Sequence, residues 1–361
     1  MHSDAIVIGA GPAGLATSRE LKVRGVAHVV LERGAVAESW SRLYDSLTLH
    51  TGKHMSHLPG MRFPRGTPLF LSRDTFLEYL HAYRAKFELP IVTGIEVKSV
   101  TREGDVWRVD DRTARALVVA SGIISNPQIP RIPGAESFRG VMRHSITYRR
   151  PDEVRGKRVL VVGAGNSAGE IASELGREGI DTTVAIRSGA NVVPLAILGV
   201  PIQYIAFMMR KLPRAAREVL VGAMRLVSPP PVIPRSKQSP LDAIPLIGFR
   251  LVHAIREGKV KLRGDIESFT PAGARFNDGR EESFDEVLLA TGFRASMPFL
   301  GELVTRDARG FANRRDRVAS TDQPNLYFVG HNYDSTGGLT NIRQDAPRAA
   351  AYVKRNAAST Q

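Results

Sequence analysis

The N-terminal part of the chain follows the order strand, glycine-rich turn, helix, strand. Asp4 to Ile8 is apolar after its first residue and predicts a buried strand, and Leu15 to Val23 places apolar residues at helical spacing. The turn between them, Gly9 to Gly14, has the spacing G-x-G-x-x-G, and a second apolar run, His28 to Leu31, ends at Glu32. This order predicts a dinucleotide-binding unit whose turn opens a helix.

The glycines of this turn and the residue after the second strand each have a chemical task. Gly9 allows the tight turn, Gly11 lets a pyrophosphate approach the backbone, and Gly14 lets helix and strand pack closely. The phosphates then lie at the helix N-terminus, where free N–H groups and the helix dipole favour negative charge. Glu32, 23 residues after Gly9, is placed to accept from both hydroxyls of an adenosine ribose, and its charge disfavours a 2′-phosphate. We expect FAD here.

The same plan recurs in the middle of the chain. Val159 to Val162 predicts a strand, Gly163 to Gly169 a second glycine-rich turn before a helix, and Thr182 to Ile186 the next strand. That strand is followed by Arg187 and Ser188, 24 and 25 residues after the first glycine of the turn. The planar fork of arginine donors suits a phosphate, and the serine hydroxyl adds another hydrogen bond. We expect NADPH at this second turn.

Each copy continues with alternating strands typical of a hairpin sheet and closes with an apolar strand that runs into a small-residue turn. These closing strands are Leu117 to Gly122 and Val287 to Gly292. The pattern predicts an α/β protein with two Rossmann-like, three-layer ββα dinucleotide-binding domains, the NADPH domain inserted into the FAD domain. The predicted FAD-binding domain comprises residues 1–150 and 286–361, and the predicted NADPH-binding domain comprises residues 151–285.

The composition narrows the redox chemistry. The chain has 361 residues and no cysteine, which excludes disulfide frameworks, thiolate metal sites and redox through a C-x-x-C pair. Two dinucleotide sites in one chain then describe a flavoprotein that takes hydride from a nicotinamide. Disulfide reductases share this layout but need the missing cysteines, so molecular oxygen is the best remaining electron acceptor. We expect no bound metal.

The charge balance bears on which kinds of molecule the protein binds. Lys and Arg number 50 against 36 Asp and Glu, a net charge of +14, but no run of five to eight basic residues marks a nucleic-acid patch. We therefore expect a small-molecule substrate, oxygen and anionic cofactors, and no nucleic acid. The first apolar run is too short and too early for a signal peptide, which predicts a cytoplasmic protein.

One apolar segment, Ser188 to Met209, contains no charged residue after Arg187 and ends at Arg210. Pro194, Gly199 and Pro201 interrupt it, which argues against a membrane-spanning helix. We expect a lid over an apolar substrate channel; a helix resting on a membrane interface, with peripheral membrane contact, remains the alternative.

Phe138 to Tyr148 matches F-x-G-x-x-x-H-x-x-x-Y at every fixed position, with His144 in the middle. Here the chain resembles the class B flavin-dependent monooxygenases, whose fingerprint this is. The resemblance narrows to the YUCCA-type enzymes and covers nearly the whole chain. Its landmarks are Leu31 to Arg33, Ser39-Trp40, Tyr44 to His50, Phe76 to Leu80, Trp107 to Val109, Gly165 to Ser167, Ile247 to Val260 and Ala290 to Arg294.

This resemblance implies an NADPH- and FAD-dependent monooxygenase that acts through a C4a-(hydro)peroxyflavin on an apolar or aromatic small molecule. For the YUCCA type the substrate is an arylpyruvate-type 2-oxo acid, which undergoes oxidative decarboxylation. Two regions depart from the family pattern, Thr51 to Lys53 and Gly330 to Asn341. An N- or S-oxygenating enzyme, an NADPH oxidase and a redox-sensing nucleotide-binding protein therefore stay open as alternatives.

The resemblance also implies roles for individual residues. His50 lies where related enzymes carry an asparagine that steadies the peroxide, and Asn332 is expected to reach the ribityl chain of FAD, so these two are the candidate catalytic residues. Gly337 to Thr340 precedes a predicted helix from Asn341 and offers N–H groups to the flavin ring. The candidate cofactor-binding residues are Gly9, Gly11, Pro12, Ala13, Gly14, Glu32, Arg33, Trp40, Thr48, His50, Val97, Ser121, Gly122, Gly163, Gly165, Asn166, Ser167, Ala168, Arg187, Ser188, Thr291, Gly292, Gly330, Asn332, Leu339 and Thr340.

Overall fold

The computed structural model describes residues 2–226, 231–239, 241–242, 244–332, 334 and 336–358. The chain divides into two compact units. The first unit comprises Met1–Arg42, Thr51–Asn126 and Phe293–Gln361, and the second unit comprises Leu43–His50 and Pro127–Gly292. The second unit is thus inserted into the first, and each contains one of the two glycine-rich turns.

The strands, in chain order, are β1 (His2–Ile8), β2 (His28–Glu32), β3 (Ile91–Thr93), β4 (Val100–Glu103), β5 (Val106–Val109), β6 (Arg112–Val119), β7 (Val141–His144), β8 (Val159–Val162), β9 (Thr182–Ala185), β10 (Val192–Val193), β11 (Ala196–Ile197), β12 (Val200–Pro201), β13 (Leu246–Ile247), β14 (Val260–Arg263), β15 (Ile266–Thr270), β16 (Gly273–Phe276), β17 (Glu281–Ser283), β18 (Glu286–Leu289), β19 (Arg314–Arg315), β20 (Ala319–Ser320) and β21 (Leu326–Phe328). The α-helices are α1 (Pro12–Lys22), α2 (Glu38–Ser41), α3 (Lys53–Ser56), α4 (Arg73–Phe87), α5 (Asn166–Arg177), α6 (Ile202–Met209), α7 (Arg214–Leu226), α8 (Arg250–Arg256) and α9 (Gly338–Ala358).

The first unit is built on a sheet with the strand order β19-β20-β21-β6-β1-β2-β3. The central strand β1 pairs in parallel with β2 and β6, and β21 also pairs in parallel with β6. The antiparallel hairpin β4–β5 joins the sheet through β6. Helices α1 and α9 pack against each other and against β1, while Trp107 of the hairpin belongs to a buried core with Ile6 and Phe328. Because layers cover both faces, the central strand β1 is apolar along its buried stretch, Ala5 to Ile8.

The second unit repeats this plan with five parallel strands in the order β14-β9-β8-β18-β7. One face packs on α5 and α8 through a core that includes Val161, Ile171 and Leu251. The other face packs on the antiparallel sheet β15–β16–β17 through a core that includes Leu160 and Phe276. The predicted fold class, two three-layer Rossmann-like domains with one inserted into the other, is confirmed.

The boundaries of the two compact units differ from those of the predicted domains. Residues 127–150 and 286–292, predicted for the first domain, belong to the second unit, because β7 pairs in register with β18. Residues 43–50 also belong to the second unit, where Tyr44 is part of the buried core and Leu47 packs against it. Thr48 and His50, predicted in the FAD-binding domain, therefore lie in the unit that holds the second glycine turn.

The apolar segment Ser188 to Met209 folds as short pieces within the second unit. Strands β11 and β12 form an antiparallel pair whose connection contains Leu198, and helix α6 follows with eight residues. Leu198 is 99% exposed and adopts a left-handed backbone conformation, with φ of 48°. Over the part of the chain that the structure describes, no helix combines the length and apolar character needed to cross a bilayer.

Candidate cofactor sites

The first glycine turn follows β1, and its three glycines have different surroundings. A Cβ on Gly9 would lie 2.6 Å from the carbonyl oxygen of Ala120, and Gly9 has a φ of 102°. A Cβ on Gly14 would lie 1.8 Å from the carbonyl oxygen of Gly9. A Cβ on Gly11, which caps α1 without a side-chain hydrogen bond, would meet nothing within 4 Å. Packing thus requires the outer two glycines, while the middle one borders open space, as a bound pyrophosphate needs.

Glu32 stands at the end of β2 and faces this turn. One oxygen of its carboxylate accepts from the backbone N–H of Ala10 at 2.6 Å, and the other accepts from that of Gly34 at 3.0 Å. Each carboxylate oxygen has two acceptor positions, so the side chain retains capacity for ribose hydroxyls. Arg33, the next residue, instead lies 3.7 Å from the carboxylate of Glu96 on the exposed surface.

The carboxyl ends of β1, β6 and β21 meet at one edge of the sheet, because these strands are parallel. Ser121 follows β6, and its hydroxyl is buried without a hydrogen-bond partner among the described residues. Gly122 and Gly330 have positive φ angles of 70° and 83°. A Cβ on Gly330 would lie 3.0 Å from that of Ala13 on α1. An orphaned hydroxyl beside a close-packed glycine turn fits a bound dinucleotide at this edge.

Other residues predicted to bind the flavin nucleotide contribute to packing within the first unit. The half-buried Trp40 packs its ring at 4.6 Å, edge to face, on Phe76 of α4. Val97 packs against the core that contains Trp107. Pro12 and Ala13 are buried in the first turn of α1.

The C-terminal candidates lie around the start of α9, which begins at Gly338, three residues earlier than predicted. Leu339 and Thr340 are therefore inside the helix and buried, and the Thr340 hydroxyl donates to the carbonyl oxygen of Met55 at 3.3 Å. Their side chains serve packing, because helical periodicity turns them toward the interior of the unit. Tyr333 and Ser335, within the region that departs from the family pattern, lie outside the described residues.

Asn332 belongs to a polar network at the buried face of α9. Its amide nitrogen donates to the Asp345 carboxylate at 2.6 Å and to the carbonyl oxygen of Arg317 at 3.1 Å. Asp345 is fully buried and also accepts from the Arg317 guanidinium at 2.8 Å. Asn341 donates to the backbone carbonyl of Asn332 at 3.0 Å. The amide nitrogen of Asn332 is thus committed to the fold, which leaves its amide oxygen as the atom available to a ligand.

The second glycine turn follows β8 and repeats the first. A Cβ on Gly163 would lie 2.3 Å from the carbonyl oxygen of Ala290, and one on Gly169 would lie 2.6 Å from Leu246. The middle glycine, Gly165, again borders open space and caps α5 without a side-chain hydrogen bond. The arrangement fits a second pyrophosphate at the start of a helix.

Polar side chains in and near this turn form hydrogen bonds with neighbouring segments of the chain. Asn166 accepts from the backbone N–H of Ile247 at 2.8 Å, which ties β13 to the start of α5, and Ala168 is buried. Thr291 donates to the carbonyl oxygen of Gln128 at 2.5 Å. These side chains fix the loops around the turn and leave its backbone N–H groups for a ligand.

Arg187 and Ser188 lie just beyond β9 and are both exposed. The guanidinium of Arg187 takes part in no hydrogen bond or ion pair with any described residue. Arg263, at the end of β14, is by contrast paired with the carboxylate of Glu282. An unpaired, exposed guanidinium at this strand end fits the 2′-phosphate of NADPH.

His144, the histidine of the motif at Phe138 to Tyr148, is buried against the turn that follows β18. Its Nε2 lies 3.1 Å from the carbonyl oxygen of Gly292, and its Nδ1 accepts from the N–H of Ile146 at 3.2 Å. Burial lowers the pKa of His144, so the ring is neutral in the fold. Its contact with Gly292 joins the end of β7 to the turn that follows β18.

Two glutamates on α5 were missed by the sequence analysis. Glu170 accepts from His50 and from the Tyr44 hydroxyl, each at 2.5 Å, and Glu174, one turn later, accepts from the Tyr148 hydroxyl at 2.8 Å. Burial and the nearby glutamates raise the pKa of both phenols well above the ordinary value, so both remain donors. The sequence signal that could have identified them is their spacing: Glu170 and Glu174 are four residues apart and so lie on one face of α5, the helix that begins at the second glycine turn.

Comparison with known proteins places the chain among relatives. A family model described as pyridine nucleotide-disulphide oxidoreductase matches residues 6–193. The chain is 35% identical to indole-3-pyruvate monooxygenase YUCCA1 of Oryza sativa subsp. japonica, with 97% of this chain and 91% of the relative covered. It is 34% identical to probable indole-3-pyruvate monooxygenase YUCCA1 of Arabidopsis thaliana, with 96% and 89% covered.

Among solved structures, a flavin-containing monooxygenase from Stenotrophomonas maltophilia matches with a TM-score of 0.79 at 24% identity, covering 99% of both chains. The disulphide chemistry in the family description needs cysteines, which this chain lacks. The predicted family resemblance and the predicted cofactors, FAD and NADPH, are confirmed by these relatives. The chain therefore belongs to the family of the YUCCA indole-3-pyruvate monooxygenases and is a flavin-dependent monooxygenase.

Proposed function

We propose that the first unit binds FAD, that the second binds NADPH in preference to NADH, and that the protein oxygenates a 2-oxo acid of the arylpyruvate type by oxidative decarboxylation. The observation that carries the substrate class is the 35% identity, across 97% of the chain, with a relative named for indole-3-pyruvate. The two glycine turns, each with an open middle position, support the cofactor assignment.

The reaction balances with these components. The 2-oxo acid, O2, NADPH and one proton give the carboxylic acid shortened by one carbon, CO2, NADP⁺ and water. When bound, NADPH supplies a hydride and FAD accepts it and activates oxygen. One oxygen atom of O2 enters the new carboxylate and the other leaves as water.

Residues of the first unit hold FAD in this proposal. The N–H groups at Gly11 and the following turn of α1 bind the pyrophosphate, and Glu32 accepts from the ribose hydroxyls. The orphaned Ser121 hydroxyl finds its partner in the bound nucleotide. The amide oxygen of Asn332 accepts from a ribityl hydroxyl, since its amide nitrogen is already bound to Asp345.

Residues of the second unit hold NADPH and supply a proton donor. The turn at Gly165 binds the pyrophosphate, and Arg187 with Ser188 binds the 2′-phosphate. His50 is the proposed catalytic residue: it donates a hydrogen bond to the reacting oxygen, which favours productive oxygen transfer over release of hydrogen peroxide.

The decisive experiment measures oxygen uptake, NADPH oxidation and peroxide with a panel of arylpyruvates, sulfides and tertiary amines. We expect arylpyruvates to stimulate uptake and to yield the shortened acid and CO2 in a 1:1 ratio with NADPH consumed. Stimulation by sulfides or amines alone would instead identify an N- or S-oxygenating enzyme. Uptake that no compound stimulates, with all oxygen recovered as peroxide, would identify an NADPH oxidase, and no turnover at all would favour a redox-sensing protein.

A further inference from the structure

A group of hydrogen-bonded side chains in the second unit links helix α5 to the segment 43–50. Its centre is the carboxylate of Glu170, which is held between His50 and Tyr44. The side chains of His50 and Glu170 are only 18% and 11% exposed. The proposed reaction uses His50 and gives no task to the carboxylate beside it.

The donors and acceptors of this group determine which nitrogen of His50 carries a hydrogen. An ionised carboxylate can only accept, so the hydrogen between His50 and Glu170 belongs to Nε2 of the imidazole. The Tyr44 phenol, whose pKa is raised by burial and by the charge of Glu170, donates to the other carboxylate oxygen. Both oxygens of Glu170 therefore have a donor, as a buried carboxylate requires.

The second ring nitrogen of His50, Nδ1, has no hydrogen-bond partner among the described residues. With Nε2–H committed to Glu170, a neutral His50 carries a lone pair on Nδ1, and only the imidazolium carries a hydrogen there. Glu170 thus selects the ring nitrogen of His50 that is available to a ligand.

We propose that Glu170 is a positioning residue that fixes the ring of His50 in the Nε2–H form, so that Nδ1 is the nitrogen used in the oxygenation step. This inference rests on the proposed function for the role of His50 in catalysis. The tautomer itself follows from the contacts of Glu170.

Helix α5 provides a matched control one turn further along. Glu174 is a second, half-buried carboxylate that accepts from a phenol, Tyr148, at 2.8 Å, and it accepts from no histidine among the described residues. Glu174→Leu therefore makes the same chemical change as Glu170→Leu, on the same helix, without touching His50. Its effect measures what the loss of a hydrogen-bonded carboxylate on α5 does by itself.

The first test reads the tautomer directly. Histidine labelled with ¹⁵N in the flavin-loaded protein gives ring resonances whose long-range ¹H–¹⁵N pattern separates Nε2–H from Nδ1–H, and His50→Gln identifies the signal. We expect Nε2–H in the wild type and in Glu174→Leu, and a mixture of tautomers in Glu170→Leu. An Nδ1–H pattern in the wild type would overturn the inference, which keeps it testable even where Glu170→Leu fails to fold.

The second test separates positioning from packing. We expect Glu170→Leu to lower kcat with an arylpyruvate roughly tenfold per bound flavin, the size of a lost hydrogen bond to a charged group, and to raise the peroxide fraction. Glu170→Gln keeps an acceptor for Nε2–H and should restore part of kcat. The rate of flavin reduction by NADPH should stay near that of the wild type in all variants.

Two outcomes of the second test contradict the inference. One is a Glu170→Leu protein that loses flavin and thermal stability but keeps the wild-type kcat per bound flavin. The other is a loss in Glu174→Leu equal to that in Glu170→Leu. A wild type that turns over no arylpyruvate would instead contradict the proposed function, while the ring spectrum would still decide the role of Glu170.

Discussion

Replacement of the middle glycines by valine should remove one cofactor at a time. Gly11 and Gly165 have negative φ angles, −76° and −88°, which valine adopts without strain, and the added Cβ meets no atom within 4 Å. Both variants should fold. Gly11→Val should be colourless, because its side chain fills the space of the FAD pyrophosphate, and Gly165→Val should stay yellow but resist reduction by NADPH.

The magnitude follows from the position of Gly11 before α1. Valine is a poor residue before a helix, which costs about 1 kcal/mol of stability without flavin. The larger loss is of ligand binding: a cofactor at a hundred times its Kd stabilises the fold by about 2.7 kcal/mol, and Gly11→Val forfeits this. Gly14→Val is the contrasting variant, because its Cβ would lie 1.8 Å from a backbone oxygen, and we expect it not to fold.

The assay combines the flavin absorbance of the purified protein, thermal unfolding with and without added FAD, and anaerobic reduction by NADPH. Added FAD should raise the unfolding temperature of Gly165→Val and leave that of Gly11→Val unchanged. A folded Gly11→Val protein that binds FAD normally would refute the assignment of the first turn. A colourless Gly165→Val protein together with a yellow Gly11→Val protein would reverse the two assignments.

Three further predictions concern other residues. Arg187→Ala should weaken NADPH binding roughly ten- to a hundredfold and leave NADH binding little affected, as measured by the steady-state KM for each nucleotide. An equal increase in both KM values would show that Arg187 does not act through the 2′-phosphate. Ile197→Asn or Phe207→Asn, each at a half-buried position, should raise KM for an apolar substrate or increase the peroxide yield, while the rate of flavin reduction stays near normal. If KM and the peroxide yield are both unchanged, the segment Ser188 to Met209 contributes only to packing. Burial lowers the pKa of His331 to about 3, so the unfolded chain binds a proton that the folded protein does not, and stability is lost as pH falls from 6.5 toward 3. Urea unfolding of His331→Met should show a shallower dependence over this window, and a slope identical to that of the wild type would contradict the burial argument.

The glycine turns and the fold class could be predicted because the pattern that marks them is continuous in the sequence. Gly14 is required by a contact within its own turn, with Gly9, although the contacts that require Gly9 and Gly163 come from distant residues, Ala120 and Ala290. The apolar runs before the turns are buried strands because layers cover both faces of each sheet. The order of these elements along the chain was therefore sufficient to indicate two dinucleotide-binding units.

The contacts of the segment 43–50 could not be predicted, because they depend on partners far away in the chain. His50 and Glu170 are separated by 120 positions, and a glutamate on an amphipathic helix ordinarily faces solvent. Asn332 is a similar case, since its network is completed by Asp345 on a helix that follows it. In both places the sequence predicted that a polar side chain binds a ligand, whereas the structure shows that the same side chain also forms hydrogen bonds within the fold.

The two sites differ in how they can distinguish a ribose from a phosphorylated ribose. The carboxylate of Glu32 is held by the N–H groups of Ala10 and Gly34, so it cannot turn away from a second anion. At an effective dielectric constant of 20 two unit charges 4 Å apart repel by about 4 kcal/mol, enough to exclude a 2′-phosphate from the first site. Arg187 is exposed and has no ion pair among the described residues, so its guanidinium is free to adjust to a phosphate. On the proposed assignments, the fixed anion at the first strand end disfavours a phosphorylated ribose, and the adjustable cation at the equivalent strand end favours one.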